Sequence, residues 1–555
     1  MNYIFAGPKR WSGIGWLLLL ISAVGAAAVP AYGQATNTGT IVGQVSDPQG
    51  AVVPGVTITV KDRATGKTLT TTTNEQGRYV MVNLPPATYD ITASKQGFAT
   101  AKVAAQAIQV GLTSTIDLKM TVGEVSTTVE VQASGVELQT MNATVGNTVS
   151  SIAINNLPSL GRDVSTFMTL QPGVSPDGNV AGAVMDQSTF QLDGGNNTND
   201  MDGTMNTYTP SFAGDPTGGL VGGGPTGVMP TPADSVEEFK VNTTNQTADF
   251  NSSAGAQVQV VTKRGTNAWH GTAYEYYLDN NFSANTWDNN LSGTPVPDYH
   301  YNRFGGAVGG PIVPKSVLGG KTYLFANYQG FRWPNSTTFE RAVPSANMRA
   351  GILTFGGVSY NINALDPRNI GVNPTIQKLW NTYEPAGNDP SCGALKGSKC
   401  DGSNEVGFKA NVAIPQSDNF GVARLDHDFG QKWHFFGSYR YYRLTRATAN
   451  QIDIGGFFSG DKLGVPTAVS NRPQVPWYYV AGLTTNITPT TTNDFHYSFL
   501  RNWWSWTDPG APPQLSGLGG ALEPFGESST TALVPYNVNT QSTRTRFWDG
   551  QDHMV

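Results

Sequence analysis

Residues 260–277 read VVTKRGTNAWHGTAYEYY, and this stretch joins two different patterns. An apolar run ends at the basic turn Lys263-Arg264-Gly265, and small residues then alternate with aromatic ones. Strict alternation predicts a strand whose two faces meet different environments. A strand of a soluble sandwich gives the same pattern, so other segments have to decide between an aqueous and a membrane setting. The alternating face that is richer in apolar groups carries Thr272, Tyr274, Tyr276 and Leu278, and the mixed face carries Gly271, Ala273, Glu275 and Tyr277.

The composition of the 555 residues favours strands and turns over helices. Charged residues make up only 13% of the chain, compared with about 25% in soluble domains. Glycine occurs 64 times and aromatic residues reach 10%, which is typical of a mainly β protein. The net charge is −6, and no Lys/Arg-rich run follows Lys9-Arg10. We therefore predict a mainly β fold with no nucleic-acid partner.

Residues 1–33 have the pattern of a secretory signal peptide. Lys9-Arg10 precede the apolar stretch WSGIGWLLLLISAVGAAAV, which gives way to small residues around Pro30. A membrane-spanning helix, the alternative, needs about 20 continuous apolar residues. We expect cleavage after Gly33. No later segment is apolar enough for a spanning helix, so we expect any further entry into a membrane to use strands.

Residues 34–122 are predicted to form a small β-sandwich. Short apolar runs are separated by turn signals such as Pro48-Gln49-Gly50 and Glu75-Gln76-Gly77. The segment from GTIVGQVSDPQG to TYDITASKQGF resembles the carboxypeptidase regulatory-like domain, a transthyretin-like sandwich. Gly77-x-Tyr79 and Leu84-Pro85-Pro86 carry this resemblance.

The sequence contains no catalytic constellation. A zinc carboxypeptidase needs a pair such as His-x-x-Glu, and none of the six histidines has a glutamate at that spacing. Gly-x-Ser-x-Gly is also missing from the sequence. We therefore predict no enzyme activity, no catalytic residues, no cofactor and no resident metal.

Residues 123–265 change in character. NNLPSLGRDVSTFMTLQPGV predicts a helix with Val164, Phe167 and Met168 on one side, which ends at Pro172-Gly173. FQLDGGNNTNDMDG then predicts a strand that runs into an Asp- and Asn-rich loop. This loop is interpreted as a solvated turn or, alternatively, a calcium site, although Thr198 replaces the first EF-hand ligand and no Glu closes the loop. The loop's candidate ligand-contact residues are Asp193, Asn196, Asn197, Asp200 and Asp202.

From residue 266 onward, alternating strands are separated by long polar loops. One such strand places Trp477, Tyr479, Ala481, Leu483 and Ile487 opposite Tyr478, Gly482, Thr484 and Asn486. Another places Phe495, Tyr497 and Phe499 opposite Asp494, His496 and Ser498. An apolar face that ends in aromatic residues is typical of outer-membrane barrel strands, which face lipid on one side. KWHFFGSYRYYR has aromatics on both faces, so its sides are not assigned from the sequence.

The two cysteines, Cys392 and Cys400, lie in the polar loop NDPSCGALKGSKCDGSN. In an exported protein, such a nearby pair predicts a disulfide that closes a small loop. A metal pair is the weaker alternative, because no His or further Cys lies nearby in the sequence.

The order of these segments resembles the Oar-like TonB-dependent receptors of the bacterial outer membrane. The motifs that carry the resemblance are NNLPSLGRDVSTFMTLQPGV, FQLDGGNNTNDM, VVTKRGTNAWHGTAYEYY, RFGGAVGGPIVP and DNFGVARLDHDFGQKWHFFGSYRYY. The resemblance implies three parts after the signal peptide: the sandwich at 34–122, a plug domain at 123–265, and the first half of a transmembrane antiparallel β-barrel at 266–555. It also implies that outer-membrane lipid surrounds the barrel and that the sandwich is periplasmic.

The number of strands leads to a further expectation. Barrels of this family have about 22 strands, whereas the residues after 265 are sufficient for about ten to twelve strands. The chain ends in QDHMV, without a terminal aromatic residue. We therefore expect this chain to be the N-terminal part of a longer protein.

The resemblance implies a receptor that imports a bulky external ligand, such as an oligosaccharide, a peptide or a metal complex, with energy relayed by a TonB-type protein. The alternative is a surface protein that adheres to carbohydrate or protein without transport. TonB-type partners pair with an extended segment by strand addition. The candidate segment is Ser126, Thr127, Thr128, Val129, Glu130, Val131 and Gln132, which can equally be interpreted as the last sandwich strand or a linker.

Overall fold

The computed structural model describes most of the chain between residues 37 and 554. The described residues are 37–123, 128–130, 144–157, 162, 164–175, 178–183, 187–198, 227–245, 254–282, 284, 300–313, 321–393, 400–447, 452–456, 460–469, 471–488, 491–506 and 546–554. The predicted signal peptide lies outside them.

Two sheets that face each other form the N-terminal sandwich. Their strand orders are β4-β1-β7, with β8 beside β1, and β3-β2-β5-β6-β9. Within β2, Ile58 and Val60 are buried whereas Lys61 is exposed, as expected for a strand with one face on a core. The prediction of a β-sandwich is confirmed. The strands are β1 (Gly39–Ser46), β2 (Thr57–Asp62), β3 (Thr68–Thr72), β4 (Arg78–Leu84), β5 (Ala87–Ser94), β6 (Thr100–Ile108), β7 (Thr113–Thr115), β8 (Leu118–Lys119) and β9 (Thr128–Glu130).

A five-stranded mixed sheet follows, which we call the plug sheet. Its order is β10-β13-β14-β11-β12, and only β11 and β14 run parallel. The predicted helix around Phe167 is a 3₁₀ helix, Val164–Leu170, in which Val164, Phe167 and Met168 are buried as expected. The remaining elements are β10 (Val145–Ser150), α1 (Ser151–Asn156), β11 (Thr189–Leu192), β12 (Gly195–Asn196), a 3₁₀ turn (Ala233–Ser235), β13 (Val236–Thr244) and β14 (Gln257–Thr262).

An antiparallel sheet of eight strands, which we call the wall sheet, packs against the plug sheet. Its order is β15-β16-β17-β22-β23-β26-β27-β28, so in the described residues it is open, with β15 and β28 at its edges. Its strands are β15 (His270–Asp279), β16 (His300–Val313), β17 (Lys321–Trp333), β22 (Gln416–Phe429), β23 (Trp433–Arg446), β26 (Trp477–Thr488), β27 (Thr491–Trp506) and β28 (Arg546–Met554).

The described residues form eight wall strands, whereas ten to twelve strands were predicted for the whole segment after residue 265. Several extended segments after residue 265 instead pair with one another outside the wall sheet. These are β18 (Ser336–Pro344), β19 (Ile352–Phe355), β20 (Val358–Asn361), β21 (Glu405–Ala413), β24 (Ile452–Gly455) and β25 (Leu463–Ala468). Three helices lie among them: α2 (Ala346–Arg349), α3 (Ile362–Leu365) and α4 (Pro374–Tyr383). Two connections between wall strands therefore hold structure that is not part of the wall.

The connections of the wall sheet are short at one end and long at the other. Residues 314–320, 430–432 and 489–490 connect strands at the end that contacts the sandwich. The connections at the opposite end are residues 280–299, 334–415, 447–476 and 507–545. No helix among the described residues is long and apolar enough to cross a membrane.

Side chains alternate between the two faces of the wall sheet. In β26, Tyr478 and Val480 are buried against the plug sheet, whereas Trp477 and Tyr479 stack on the outer face with ring centroids 6.1 Å apart. The predicted sides of this strand are therefore confirmed. In β23, which the sequence left unassigned, the even-numbered residues from His434 to Leu444 form the buried inner face.

In β15 the tyrosine-rich face is the inner one. Tyr274 donates a hydrogen bond to Gln329 Oε1 of β17 at 3.1 Å. The guanidinium of Arg162, from the plug region, lies 4.2 Å from the ring centre of Tyr276. Periodicity identified the two faces, but the apolar face of this strand faces the plug region rather than lipid.

Candidate functional site

The plug sheet and the wall sheet share an apolar core. It includes Phe190 and Phe239 from the plug sheet and Phe325, Phe420 and Phe436 from the wall sheet, all nearly inaccessible to solvent. Burial of this much aromatic surface holds the two sheets together, but the hydrophobic effect is non-directional and does not by itself fix their relative position. The specificity of the contact comes from the polar groups beside it.

A buried ion-pair network fixes the plug sheet in the wall. Asp193 follows β11, and its carboxylate accepts a hydrogen bond from the backbone N–H of Thr262 at 2.7 Å. The same carboxylate lies 3.2 Å from Arg424 Nη1 of β22, and Arg424 also pairs with Asp426 at 2.9 Å. Since removing Arg424 would leave the buried Asp193 carboxylate without its cation, the network favours the seated plug.

The turn after Asp193 fits closely against β26. Asp193 and Gly194 both have positive φ, at 51° and 86°, which makes the turn tight. A Cβ on Gly195 would overlap the Tyr478 hydroxyl. That hydroxyl donates a hydrogen bond to the carbonyl of Leu192 at 2.6 Å. The hairpin β11–β12 therefore packs so closely against the wall sheet that no side chain fits at position 195.

The described residues of the predicted ligand loop have structural partners. Asn197 is buried, donates to the Met229 carbonyl at 3.1 Å and accepts from the Met229 N–H at 2.8 Å. Asn196 accepts a hydrogen bond from the N–H of Thr198 at 3.0 Å. Asp193 thus contacts the wall sheet, and Asn197 contacts the segment around Met229. Asp200 and Asp202 lie outside the described residues, and the described part of the chain holds no metal-binding cluster of acidic, His or Cys side chains.

The candidate TonB-contact segment lies next to the sandwich. Its described residues, Thr128–Glu130, form β9, which pairs in parallel with β6. Within the described residues β9 is the last strand of its sheet, so its second edge has no strand partner there. Ser126, Thr127, Val131 and Gln132 lie outside the described residues.

The sandwich contacts the plug sheet through the loop after β6. Glu238 of β13 accepts a hydrogen bond from the backbone N–H of Val110 at 2.8 Å, and Lys240 Nζ donates to the Gly111 carbonyl at 2.7 Å. Burial, together with the nearby charge of Glu237, raises the pKa of Glu238 to about 7. This contact is therefore sensitive to pH in the neutral range.

Sequence reasoning missed the inner charged face of β22 and its neighbour β23. Asp428 Oδ1 lies 2.8 Å from His434 Nδ1, and Asp426 Oδ1 lies 3.5 Å from His434 Nε2. Arg424, Asp426 and Asp428 are spaced by two residues, which places them on one face of a strand. The spacing of these charged residues in the segment RLDHD is the sequence feature from which this charged inner face could have been predicted.

A small cavity lies where the sandwich, the plug sheet and the wall sheet meet. Its volume is about 40 Å³, and its lining includes Asp62, Lys67, Arg264, Arg424 and His434. This volume suits one or two water molecules rather than a bulky ligand. This point of the junction therefore has no room for a bulky ligand.

Cys392 and Cys400 form a disulfide in the connection between β17 and β22. Their Cα atoms are 5.9 Å apart, and both residues are buried beside Ala342. The disulfide lies in a connection at the rim opposite the sandwich, away from the plug contacts.

Two parts of the chain match known protein families. Residues 261–553, more than half of the chain, match the family described as outer membrane beta barrel domain. The chain belongs to this family. Residues 40–121 match the carboxypeptidase regulatory-like domain. The protein is thus a bacterial outer-membrane protein with an N-terminal sandwich.

A curated relative agrees with this assignment. The chain is 23% identical to the TonB-dependent transporter Oar of Myxococcus xanthus over 330 residues, which are 55% of this chain and 29% of Oar. The chain therefore spans less than a third of that curated relative.

Two solved structures are also similar. One is a variant of the ferric enterobactin receptor of Pseudomonas aeruginosa, at 12% identity, with a TM-score of 0.37 over 65% of this chain and 42% of the receptor. The other is the outer membrane transporter YddB of Escherichia coli, at 10% identity, with a TM-score of 0.38 over 65% of this chain and 39% of YddB.

Proposed function

We propose that this protein is a TonB-dependent receptor that binds a bulky external ligand and imports it into the periplasm. The observation that carries the proposal is the plug sheet seated on the wall by the Asp193–Arg424 pair. Breaking one partner of a buried pair costs roughly 3–5 kcal/mol, so thermal motion alone rarely displaces the plug. A TonB-type protein would supply the free energy that this displacement needs.

The orientation follows from the lengths of the connections. Outer-membrane barrels have short periplasmic turns and longer extracellular loops. We therefore assign the sandwich end to the periplasm and the opposite rim to the cell surface. In this assignment the chain divides into a signal peptide (1–33), a periplasmic sandwich (34–122), a plug (123–265) and barrel strands (266–555).

We assign the TonB contact to residues 126–132. Support comes from β9, which offers a strand edge beside the plug connection, and strand addition needs only backbone groups. The loop containing Asp200 and Asp202 is proposed to contribute to ligand contact. The ligand is proposed to be an oligosaccharide, a peptide or a metal complex, and no catalytic residue is assigned.

The full-length receptor in its native outer membrane provides the test. A photo-crosslinking residue at Thr128 should capture the TonB-type protein, whereas one at exposed Glu75 should not. Deletion of residues 126–132 should abolish capture and proton-motive-force-dependent uptake of ligands identified by a glycan, peptide and metal-chelate screen. Uptake that persists after the deletion would contradict the assignment.

The rim opposite the sandwich favours a second candidate function, surface adhesion without transport. Exposed apolar residues are concentrated on β19, β20, α3 and the following turn, namely Phe355, Val358, Tyr360, Leu365 and Ile370. Such clustering is typical of interaction surfaces. An adhesin would bind its target equally well with the proton-motive force collapsed.

A further inference from the structure

One turn of the sandwich reaches both the wall sheet and the connection between plug and wall. This turn, residues 62–67 from the last residue of β2 to the residue before β3, is called the latch turn, and residues 263–269 between β14 and β15 are called the seam. Asp62 Oδ2 lies 2.7 Å from Arg264 Nη2, and the Ala64 carbonyl accepts a hydrogen bond from the Asn267 N–H at 3.1 Å. The latch turn is therefore bonded to the seam.

The latch turn is also bonded to the wall sheet. Lys67 Nζ lies 2.6 Å from Asp428 Oδ1 of β22. The Thr65 carbonyl accepts hydrogen bonds from Lys321 Nζ at 2.5 Å and from the Tyr323 hydroxyl at 3.3 Å, both in β17. Four residues of the latch turn thus contact two adjacent wall strands and the seam.

Both ion pairs of the latch turn are shielded from solvent. The side chains of Asp62 and Arg264 are 3% and 14% exposed, and those of Lys67 and Asp428 are 16% and 10% exposed. Exposed surface pairs contribute little to stability, but breaking shielded pairs leaves buried charges without partners. The turn therefore makes a specific contact.

The seam itself has little freedom to adjust. A Cβ on Gly265 would lie 2.5 Å from the Leu324 carbonyl oxygen and 2.9 Å from that of Gly310. Asn267 Oδ1 accepts a hydrogen bond from the Tyr323 hydroxyl at 3.0 Å. Because β14 ends at Thr262, any displacement of the plug sheet must pull on residues that the latch turn holds.

We propose that the sandwich is an autoinhibitory latch, in which the latch turn clamps the seam to the wall and must be released before the plug can move. This inference rests on the proposed transport function, because it assumes that the plug moves within the barrel. The second contact, from Val110 and Gly111 to β13, clamps the plug sheet from the same side.

Full-length receptor in planar lipid bilayers, with potassium chloride as the only probe, tests the latch. Lys67→Glu places two negative charges together at Asp428 and should raise the frequency of open-plug current events about tenfold or more. Hydrogen exchange at the Asn267 amide should accelerate by a similar factor. Lys67→Arg, which keeps the charge, should behave as wild type. Lys61→Glu, the same charge change at an exposed position on β2, is the matched control.

Exchange at the Val53 amide, which bonds to the Val45 carbonyl inside the sandwich, reports whether the sandwich remains folded. If Lys67→Glu showed the wild-type frequency of current events while the Val53 amide stayed protected, the latch proposal would be wrong, whatever the exchange rate of the Asn267 amide. Chloride and potassium currents need neither a TonB-type protein nor a transported ligand. These measurements can therefore refute the latch proposal without refuting import, and the uptake experiment can refute import without refuting the latch proposal.

Discussion

Arg424 of the wall sheet lies 3.2 Å from Asp193 of the plug sheet, and their side chains are 5% and 0% exposed. The two residues are 231 positions apart in sequence. Their pairing fixes the position of the plug, because Asp193 also bonds to Thr262 at the end of the last plug strand. The charge that holds the plug in place is thus located on a strand of the wall.

Asp193→Ala should loosen the plug. The substitution removes the hydrogen-bond acceptor of Thr262 and leaves Arg424 with Asp426 as its remaining carboxylate partner. We expect a loss of about 3 kcal/mol, measured as a lower urea midpoint for proteolytic exposure of the plug. Exposed Glu75→Ala serves as the control, and equal midpoints for the two variants would contradict the role of the pair.

Gly195→Val should prevent seating of the hairpin β11–β12. The added side chain would overlap Tyr478 and Ser498, and overpacking of this kind typically costs about 1–3 kcal/mol. Limited proteolysis of the plug in detergent measures the effect. Gly421→Val is the matched control, since a Cβ there meets nothing within 4 Å. Equal protection of both variants would show that the close contact is not needed.

Glu238→Gln should change how stability depends on pH. Burial raises the pKa of Glu238 from 4.5 to about 7, so the folded protein keeps a proton that the unfolded chain releases. The stability that this proton provides is fully present below pH 4.5 and is lost as pH rises to about 7. The loss is on the order of 3 kcal/mol.

With glutamine at position 238, the urea midpoint should fall less between about pH 5 and pH 8 and should exceed that of the wild type at the higher pH. Glu75→Gln, at an exposed site in the sandwich, should retain the wild-type pH profile. If Glu238→Gln also retained the wild-type pH profile, a titratable group other than Glu238 would be responsible for the pH dependence.

Leu483→Arg should destabilise the protein in lipid. Leu483 lies in the middle of β26 on the outer face, where a charge meets hydrocarbon. The expected cost is about 2–4 kcal/mol at the bilayer centre but only about 0–1 kcal/mol near its surface. Ile487→Arg, near the end of the same strand, is the comparison. Urea unfolding from lipid vesicles measures both, and equal costs would contradict the assigned depth.

Alternation predicted the sides of β26 because its outer face is mostly apolar. It did not predict which side of β15 faces outward, since tyrosines pack against a protein interior as well as against lipid. The sequence also left three interpretations of residues 126–132 open, namely a TonB contact, the last sandwich strand or a linker. The described part, Thr128–Glu130, pairs with the sandwich.

The contacts around Asp193 could not be predicted for a different reason. The residue stands in an Asp- and Asn-rich stretch that is typical of a solvated loop, and its partner Arg424 is far away in sequence. Only the spacing of Arg424, Asp426 and Asp428 indicated a charged inner face. Local patterns thus predict the strands, whereas pairing between distant strands requires the folded chain.

The hairpin β19–β20 turns at Gly356 and Gly357, which have φ values of 57° and 80° and open space where side chains would extend. It belongs to the connection at the rim opposite the sandwich, far from the plug contacts. A short epitope inserted between these glycines would be accommodated without strain in the rest of the fold. Antibody staining of intact, unpermeabilised cells would then report whether this rim faces the medium.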